Sequence, residues 1–294
     1  MRVGVLVPVH GFAPYLPEAL DTVLAEEPAE VVVIDDGSPE ALALHPDHAG
    51  HCRLVRREQR GGPAAARQTG LQALGAEIEA VALCDADDAW TAGSLAPRLR
   101  AVQDGADVAF GRAEIVGVDG QPTGEVWPLP AGGPSLEELY RANPLCTASA
   151  IVRRATLEAA GGFATPLALA EDWDLWLRLA AGGARFASVP EAVVRYRRHP
   201  GGLTADVEAL ARAQHRLHAR HAALVGGRAR RRAQARDLAA LADGLAARGA
   251  YCEARVALRG SMRLGRVSPR SAARAFALAV PGIRGRLGGR APYP

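Results

Sequence analysis

The chain has 294 residues, 49% of them hydrophobic and 23% charged, with a formal net charge of +3. That length corresponds to one large or two ordinary domains, and the apolar content is ample for a full core. A disordered chain, a collagen-like chain and a small disulfide scaffold are excluded. The four cysteines, Cys52, Cys84, Cys146 and Cys252, lie far apart with no CxxC pair and no zinc spacing. They read as buried or free thiols in a reducing compartment. All 35 basic residues are arginine, which with the abundance of Ala, Gly and Pro reads as the coding bias of a GC-rich genome.

In chain order, Arg2–Val7 is a compact apolar run that predicts a strand, and Pro17–Ala25 has helical spacing. A second buried strand is expected at Val31-Val32-Val33-Ile34, ended by Asp35-Asp36-Gly37-Ser38. A third run, Arg53–Arg56, precedes a Gly-rich turn and a helix near Pro63–Leu74. Val81–Cys84 predicts a fourth strand, ending at Asp85-Ala86-Asp87-Asp88. Apolar strands alternating with helices predict an α/β fold, with a mainly parallel sheet covered by helices on both faces. Ligands of such sheets bind beyond the carboxyl ends of the strands, where both acidic clusters fall. Val126–Pro134 reads as a long Pro/Gly-rich loop.

Charge divides the chain. Residues 1–199 carry 17 Arg against 27 acidic residues, and residues 200–294 carry 18 Arg against 5. With the turn His199-Pro200-Gly201-Gly202, this predicts a domain over 1–204 and a basic, Ala/Arg-rich helical extension over 205–294, frayed after Pro281. Three readings of that extension stay open: a solvated helical region that packs on the first domain or forms a homo-oligomer, an anionic-membrane attachment, and a nucleic-acid binder. The last is disfavoured because basic and aromatic residues do not interleave. No run approaches the ~20 apolar residues of a membrane span, and no secretory pattern follows Met1. The expected localisation is cytoplasmic, with peripheral attachment at the inner face of the plasma membrane left open.

Several clusters could carry chemistry. Three carboxylates at one strand end, Asp85, Asp87 and Asp88, repel one another unless a cation or a donor-rich loop offsets them. A hard divalent ion suits such oxygens, and the ordinary alternative is a solvated turn with Asp88 capping a helix. Asp35 and Asp36 could accept hydrogen bonds from a base or ribose, or serve only turn chemistry. Arg60-Gly61-Gly62-Pro63 with Arg67 suits an anion at a helix start but lacks the Walker and G-x-G-x-x-G patterns. Glu171 and Asp172 open an apolar-faced helix, as a general base or as ordinary N-terminal charge. Trp173 and Trp176 read as core residues, and His199 as a ligand or a solvated side chain.

Taken together, Val7-Pro8-Val9-His10, Asp35-Asp36-Gly37-Ser38, Gly61–Gly70 with Arg67, Asp85-Ala86-Asp87-Asp88, Glu171-Asp172 and Tyr196-Arg197-Arg198-His199 resemble family 2 glycosyltransferases of the GT-A fold. The resemblance covers about residues 1–204. It implies an inverting, metal-dependent transfer of one sugar from a nucleoside-diphosphate sugar to an acceptor hydroxyl. Residues 1–112 would bind the donor, and 113–204 would form the acceptor side and carry the base. Pro8, Val9, His10 and Asp36 would contact base and ribose with Asp35 beside them, and Arg67 would contact the nucleotide. Asp85, Ala86 and Asp87 match the DXD motif, with Asp87 the direct ligand of Mg²⁺ or Mn²⁺, Asp85 beside it and His199 helping to hold metal or diphosphate. Asp172 matches the catalytic base and Glu171 its neighbour.

The Gln-x-x-Arg-Trp signature of processive synthases is absent, which favours single-sugar transfer. Family habit favours UDP, with dTDP and GDP open, and the acceptor could be a glycan, a lipid-linked molecule or a small molecule. A bacterial source would fit envelope glycan or secondary-metabolite glycosylation. The alternatives are a nucleotidyltransferase and a non-catalytic scaffold that binds nucleotide sugars.

Overall fold

The computed structural model describes residues 1–163, 167–202 and 205–264; the expected fraying after Pro281 lies outside them. The chain divides into two compact units, Met1–His199 and Pro200–Pro294.

The first unit opens with β1 (Val3–Val9), α1 (Leu16–Leu24), β2 (Glu30–Asp35), α2 (Pro46–Ala49), β3 (Arg53–Arg56), α3 (Gly62–Ala73) and β4 (Ala80–Leu83). β1 pairs in parallel with β2 and β4, and β2 pairs in parallel with β3. Strands covered on both faces are apolar throughout, and β1, β2 and β4 are buried almost end to end. In α1 the residues Leu16, Ala19, Leu20 and Val23 recur at helical spacing and form its buried stripe.

The second half of the unit contains β5 (Ala89–Trp90), α4 (Leu95–Gln103), β6 (Val108–Val116), β7 (Pro122–Val126) and α5 (Leu136–Arg141). β8 (Ile151–Arg153), α6 (Arg154–Ala159), α7 (Glu171–Ala181) and β9 (Phe186–Arg197) complete it. All strands join one sheet of order β3-β2-β1-β4-β8-β6-β9-β5, with β7 on the side of β6. β6 runs parallel to β9, whereas β8 is antiparallel to both β4 and β6, and β5 is antiparallel to β9. The first half is thus the parallel sheet that the apolar runs predict, and the second half adds antiparallel pairings. β7 ends at Val126, and residues 127–134 form the expected loop.

Two of these pairings position the site. The β5–β9 pair lays the acidic turn after β4 beside the end of β9. The β4–β8 pair brings the segment before β8 to the carboxyl end of β4, where the Leu83 amide donates to the Ala150 carbonyl at 3.0 Å.

The second unit contains α8 (Val207–Arg220), α9 (Gly227–Ala247) and α10 (Tyr251–Leu264). Its small core is built from Ala242, Leu245, Ala254, Ala257 and Leu258. A fully buried His218 meets Asp237 at 2.7 Å between α8 and α9. No helix among the described residues is long and apolar enough to cross a membrane.

Helix α3 lies on β1 and β2 through a glycine. A Cβ on Gly70 would stand 2.7 Å from Ile34 Cδ1 and 2.9 Å from Leu6 Cδ2, both in the strands that carry the site. Gly70→Val is therefore expected to destabilise the protein by about 1–3 kcal/mol through overpacking. Urea unfolding should show this as a lower midpoint at unchanged slope, and an unaltered midpoint would mean that α3 can lift off the sheet freely.

Candidate active site

The carboxyl ends of β1, β2 and β4 converge on one edge, as parallel pairing requires. His10, just after β1, has Nδ1 3.1 Å from the Asp36 carbonyl oxygen, and the Gly11 amide donates to Ser38 Oγ at 2.8 Å. The segments after β1 and β2 are thereby joined. Pro8 and Val9 lie in the last turn of the β1 ladder, paired with Ile34 and Asp35.

Asp35 and Asp36 are both buried, at 1% and 3% exposure, and their carboxylates hold the loop itself. Asp35 accepts from the backbone amides of Ser38 and Leu42 and from Arg56. Burial pushes its pKa up, but the Ser38 and Leu42 hydrogen bonds and the Arg56 charge bring it below the usual carboxylate range. Asp36 accepts from the amides of Gly61 and Gly62 at 2.7–3.1 Å and pairs with Arg57 at 2.8 Å. The turn that follows them demands Gly37, whose φ is +66° and whose Cβ would stand 2.6 Å from the Arg60 amide nitrogen.

Arg67 on α3 is 3% exposed and reaches two acidic groups from different parts of the chain. One terminal nitrogen donates to Asp85 Oδ1 at 2.5 Å and the other to Glu171 Oε1 at 2.7 Å. Burial alone would lower its pKa, but Asp85 and Glu171 reverse that and hold the guanidinium charged. Both terminal nitrogens of Arg67 are therefore engaged within the protein. Beside it, Gln68 Oε1 accepts from the Phe163 amide at 2.9 Å.

Asp87, across Ala86 from Asp85, has Oδ2 2.9 Å from His199 Nε2. His199 lies against the Tyr15 ring, with centroids 5.5 Å apart, and Arg197 stacks over the same ring at 4.4 Å. Asp88 does not cap a helix, since β5 follows it. It is 1% exposed, and its Oδ1 accepts the backbone N–H of Arg197 at 2.9 Å. Its Oδ2 is buried with no partner among the described residues. Burial pushes the Asp87 pKa up and the Asp85 charge adds to this, against an opposing pull from His199. For Asp88, burial and the charges of Asp87 and Asp85 raise it well above the carboxylate range.

Glu171 and Asp172 open α7, as the sequence predicts. The residue before them, Ala170, has φ +60°, a left-handed backbone that a non-glycine residue adopts at a cost of about 1–2 kcal/mol. Glu171 is buried, and burial pushes its pKa up to about 7 despite the pull of Arg67, with Asp172 pushing the same way. Asp172 is clamped: Oδ2 accepts from Asn143 Nδ2 at 3.0 Å and Thr147 Oγ1 at 2.6 Å, and Oδ1 from the Trp173 amide at 2.7 Å. Trp173 and Trp176 are core residues, 5% and 0% exposed.

The fold thus links His199 with Asp87, and Asp85 through Arg67 with Glu171. Asn143, Thr147 and Tyr15 escape the sequence reading, because nothing in their local sequence marks them; Asn143-Pro144 reads only as a turn. Among the described residues no three His, Cys, Asp or Glu side chains already form a cation cage.

The excess of buried acid has a pH signature. A carboxyl whose folded-state pKa is raised stays protonated in the native state while the unfolded chain ionises, so stability falls as pH rises. For Glu171 that window runs from its unfolded value of 4.5 to about 7. Thermal unfolding should show a decline through this window that Glu171→Gln flattens, and an identical decline in the variant would remove Glu171 as its source.

Comparison with known proteins bears on the family and the fold. Residues 4–159 match the family model for glycosyl transferase family 2. The succinoglycan biosynthesis protein ExoU of Rhizobium meliloti (strain 1021) is 32% identical over 203 residues, covering 63% of this chain and 58% of ExoU. ExoW of the same organism is 37% identical over 99 residues, covering 31% of this chain and 30% of ExoW. The chain therefore spans well under two thirds of the curated relatives it matches. Among solved structures, S. aureus TarS 1–349 in complex with UDP-GlcNAc aligns at TM-score 0.66 and 19% identity, covering 98% of this chain and 86% of that one. The mannosyltransferase PcManGT from Pyrobaculum calidifontis, in complex with GDP-Man and Mn²⁺, aligns at 0.60 and 22%, covering 97% and 84%. The first unit thus has the GT-A architecture of these neighbours, and the chain belongs to glycosyl transferase family 2.

Proposed function

We propose that the protein transfers one sugar from a nucleoside-diphosphate sugar to an acceptor hydroxyl, with inversion at the anomeric carbon. The observation that carries this reading is the clamped carboxylate of Asp172 near a cluster of acid that a cation would neutralise. Asp87 and His199, 2.9 Å apart, with Asp85 beside them would offer carboxylate and imidazole ligands to Mg²⁺ or Mn²⁺, and the donor's phosphates would have to supply the remaining oxygens. The raised pKa of Asp87 marks charge that such an ion would relieve. A bound ion would supply charge neutralisation for the leaving diphosphate.

The chain's own residues perform the rest. Asp172 takes the proton of the acceptor hydroxyl as its oxygen bonds to the anomeric carbon from the face opposite the leaving diphosphate. Asn143, Thr147 and the Trp173 amide fix the carboxylate so that little reorganisation is needed at that step. Arg67 keeps Asp85 and Glu171 in register without contributing a proton. Pro8, Val9, His10, Asp35 and Asp36 shape the donor pocket, and the buried Asp35 and Asp36 do so by holding its wall. UDP-bound and GDP-bound neighbours leave the base to be read from binding, and the acceptor chemistry is a hydroxyl-bearing glycan, lipid-linked molecule or small molecule.

General-base assistance is worth ~10²–10⁴-fold, so Asp172→Asn should lower turnover by about that factor while donor binding survives. Single-turnover transfer or donor hydrolysis measures it, and unchanged turnover would displace Asp172 from the role. A thermal-shift panel of nucleoside diphosphates and their sugars, with and without Mn²⁺, tests the donor directly. Binding at a hundredfold excess over Kd adds ~2.7 kcal/mol to stability. A metal-dependent shift confined to one base is expected, and no shift with any nucleotide would overturn the reading.

A further inference from the structure

In the second unit, α9 and α10 form a helical hairpin whose charge is concentrated at one end. The first ten residues of α9 contain Arg228, Arg230, Arg231, Arg232 and Arg236, all exposed. Ser261 Oγ of α10 donates to the Ala235 carbonyl of α9 at 2.6 Å, so the last turns of α10 lie beside the first turns of α9. That contact brings the exposed Arg259 and Arg263 to the same end. None of these seven arginines makes an ion pair with a described residue, and residues 227–236 and 254–264 contain no acid. At the opposite end the charges are matched: Glu208 holds Arg212 at 2.9 Å and also Arg248, which lies 3.6 Å from Glu253.

The arrangement works against the helix that carries it. Arginines at the amino end oppose the macrodipole, and Arg228 with Arg232, then Arg232 with Arg236, are like charges four residues apart. Helix stability therefore does not account for the cluster, whereas a polyanionic partner does. The hairpin contains no Phe or Trp, and its Tyr251 lies at the opposite end, so a stacking platform for bases is missing from this patch. A cluster of exposed, unpaired guanidinium groups without aromatic side chains suits a layer of phosphate headgroups, which guanidinium groups bind in bidentate fashion.

We propose that this end of the α9–α10 hairpin docks on an anionic phospholipid surface. The proposal stands apart from the transfer reaction, because its readout needs neither donor nor acceptor. The test is sedimentation of the full chain with vesicles of phosphatidylcholine alone and with vesicles that also contain phosphatidylglycerol, at low and high salt. Binding to the anionic vesicles only, weakened by salt, is expected. The variant Arg228→Gln, Arg230→Gln, Arg231→Gln, Arg232→Gln should bind at least ~10-fold more weakly, since each cation near such a surface contributes roughly a fivefold factor. Removing like charges from the start of α9 leaves the helix at least as stable, and circular dichroism melting confirms that the variant is folded. A control that removes four exposed arginines of the first unit, Arg2, Arg100, Arg112 and Arg141, should bind as the parent does. No binding to anionic vesicles, equal loss in the control, or tighter binding to an RNA or DNA duplex than to vesicles would each overturn the proposal.

Discussion

The first unit is organised around a local surplus of negative charge and the buried guanidinium of Arg67 that divides it. Asp85, Asp87 and Asp88 follow one strand, and Glu171 and Asp172 approach the same edge from the mouth of α7. Without Arg67, two of these groups would face each other across a poorly solvated gap. Its planar fork meets Asp85 with one nitrogen and Glu171 with the other, a geometry that lysine cannot reproduce. The cation is affordable in the interior only because both partners hold it, and that mutual dependence ties α3 to a strand end 18 positions on and to a helix mouth 104 positions away in sequence.

Around that link the remaining acids are sorted by their surroundings. Asp35 and Asp36 are saturated with backbone amides and arginines and act as rigid turn scaffolding. Asp88 is buried with an oxygen left over, and Asp87 is crowded by burial and by Asp85, so their anionic forms are disfavoured. Asp172 receives donors on both oxygens and keeps a fixed orientation. Five neighbouring carboxylates therefore fall into three physical classes, although the residue type is the same throughout.

The second unit solves a different problem with simpler means. Small residues, mainly alanine, let three helices approach around a thin core, so the long arginines must stay outside. Some are paired at one end of the hairpin and others are left unpaired at the other. The contrast between the ends, rather than the total charge, distinguishes this surface from an ordinary solvated helix face.

Much of the fold was legible in the amino-acid order because the relevant forces are local or periodic. The runs at Val31–Ile34 and Val81–Cys84 are apolar without alternation, which only a strand covered on both faces tolerates, and Gly37 marks a turn by its backbone freedom. The order of motifs also identified the family and drew attention to Asp85, Asp87, Asp172 and His199. Tertiary structure alone decided what those residues touch. That Arg67 joins Asp85 to Glu171, and that Asn143 and Thr147 clamp Asp172, depends on antiparallel pairing of β8 with β4 and on where α7 begins. These contacts span 18, 104, 29 and 25 positions, and no local periodicity records them. Propensity and hydrophobic spacing act over a few residues, whereas hydrogen-bond partners are chosen by whichever segments the assembled sheet brings within about 3 Å.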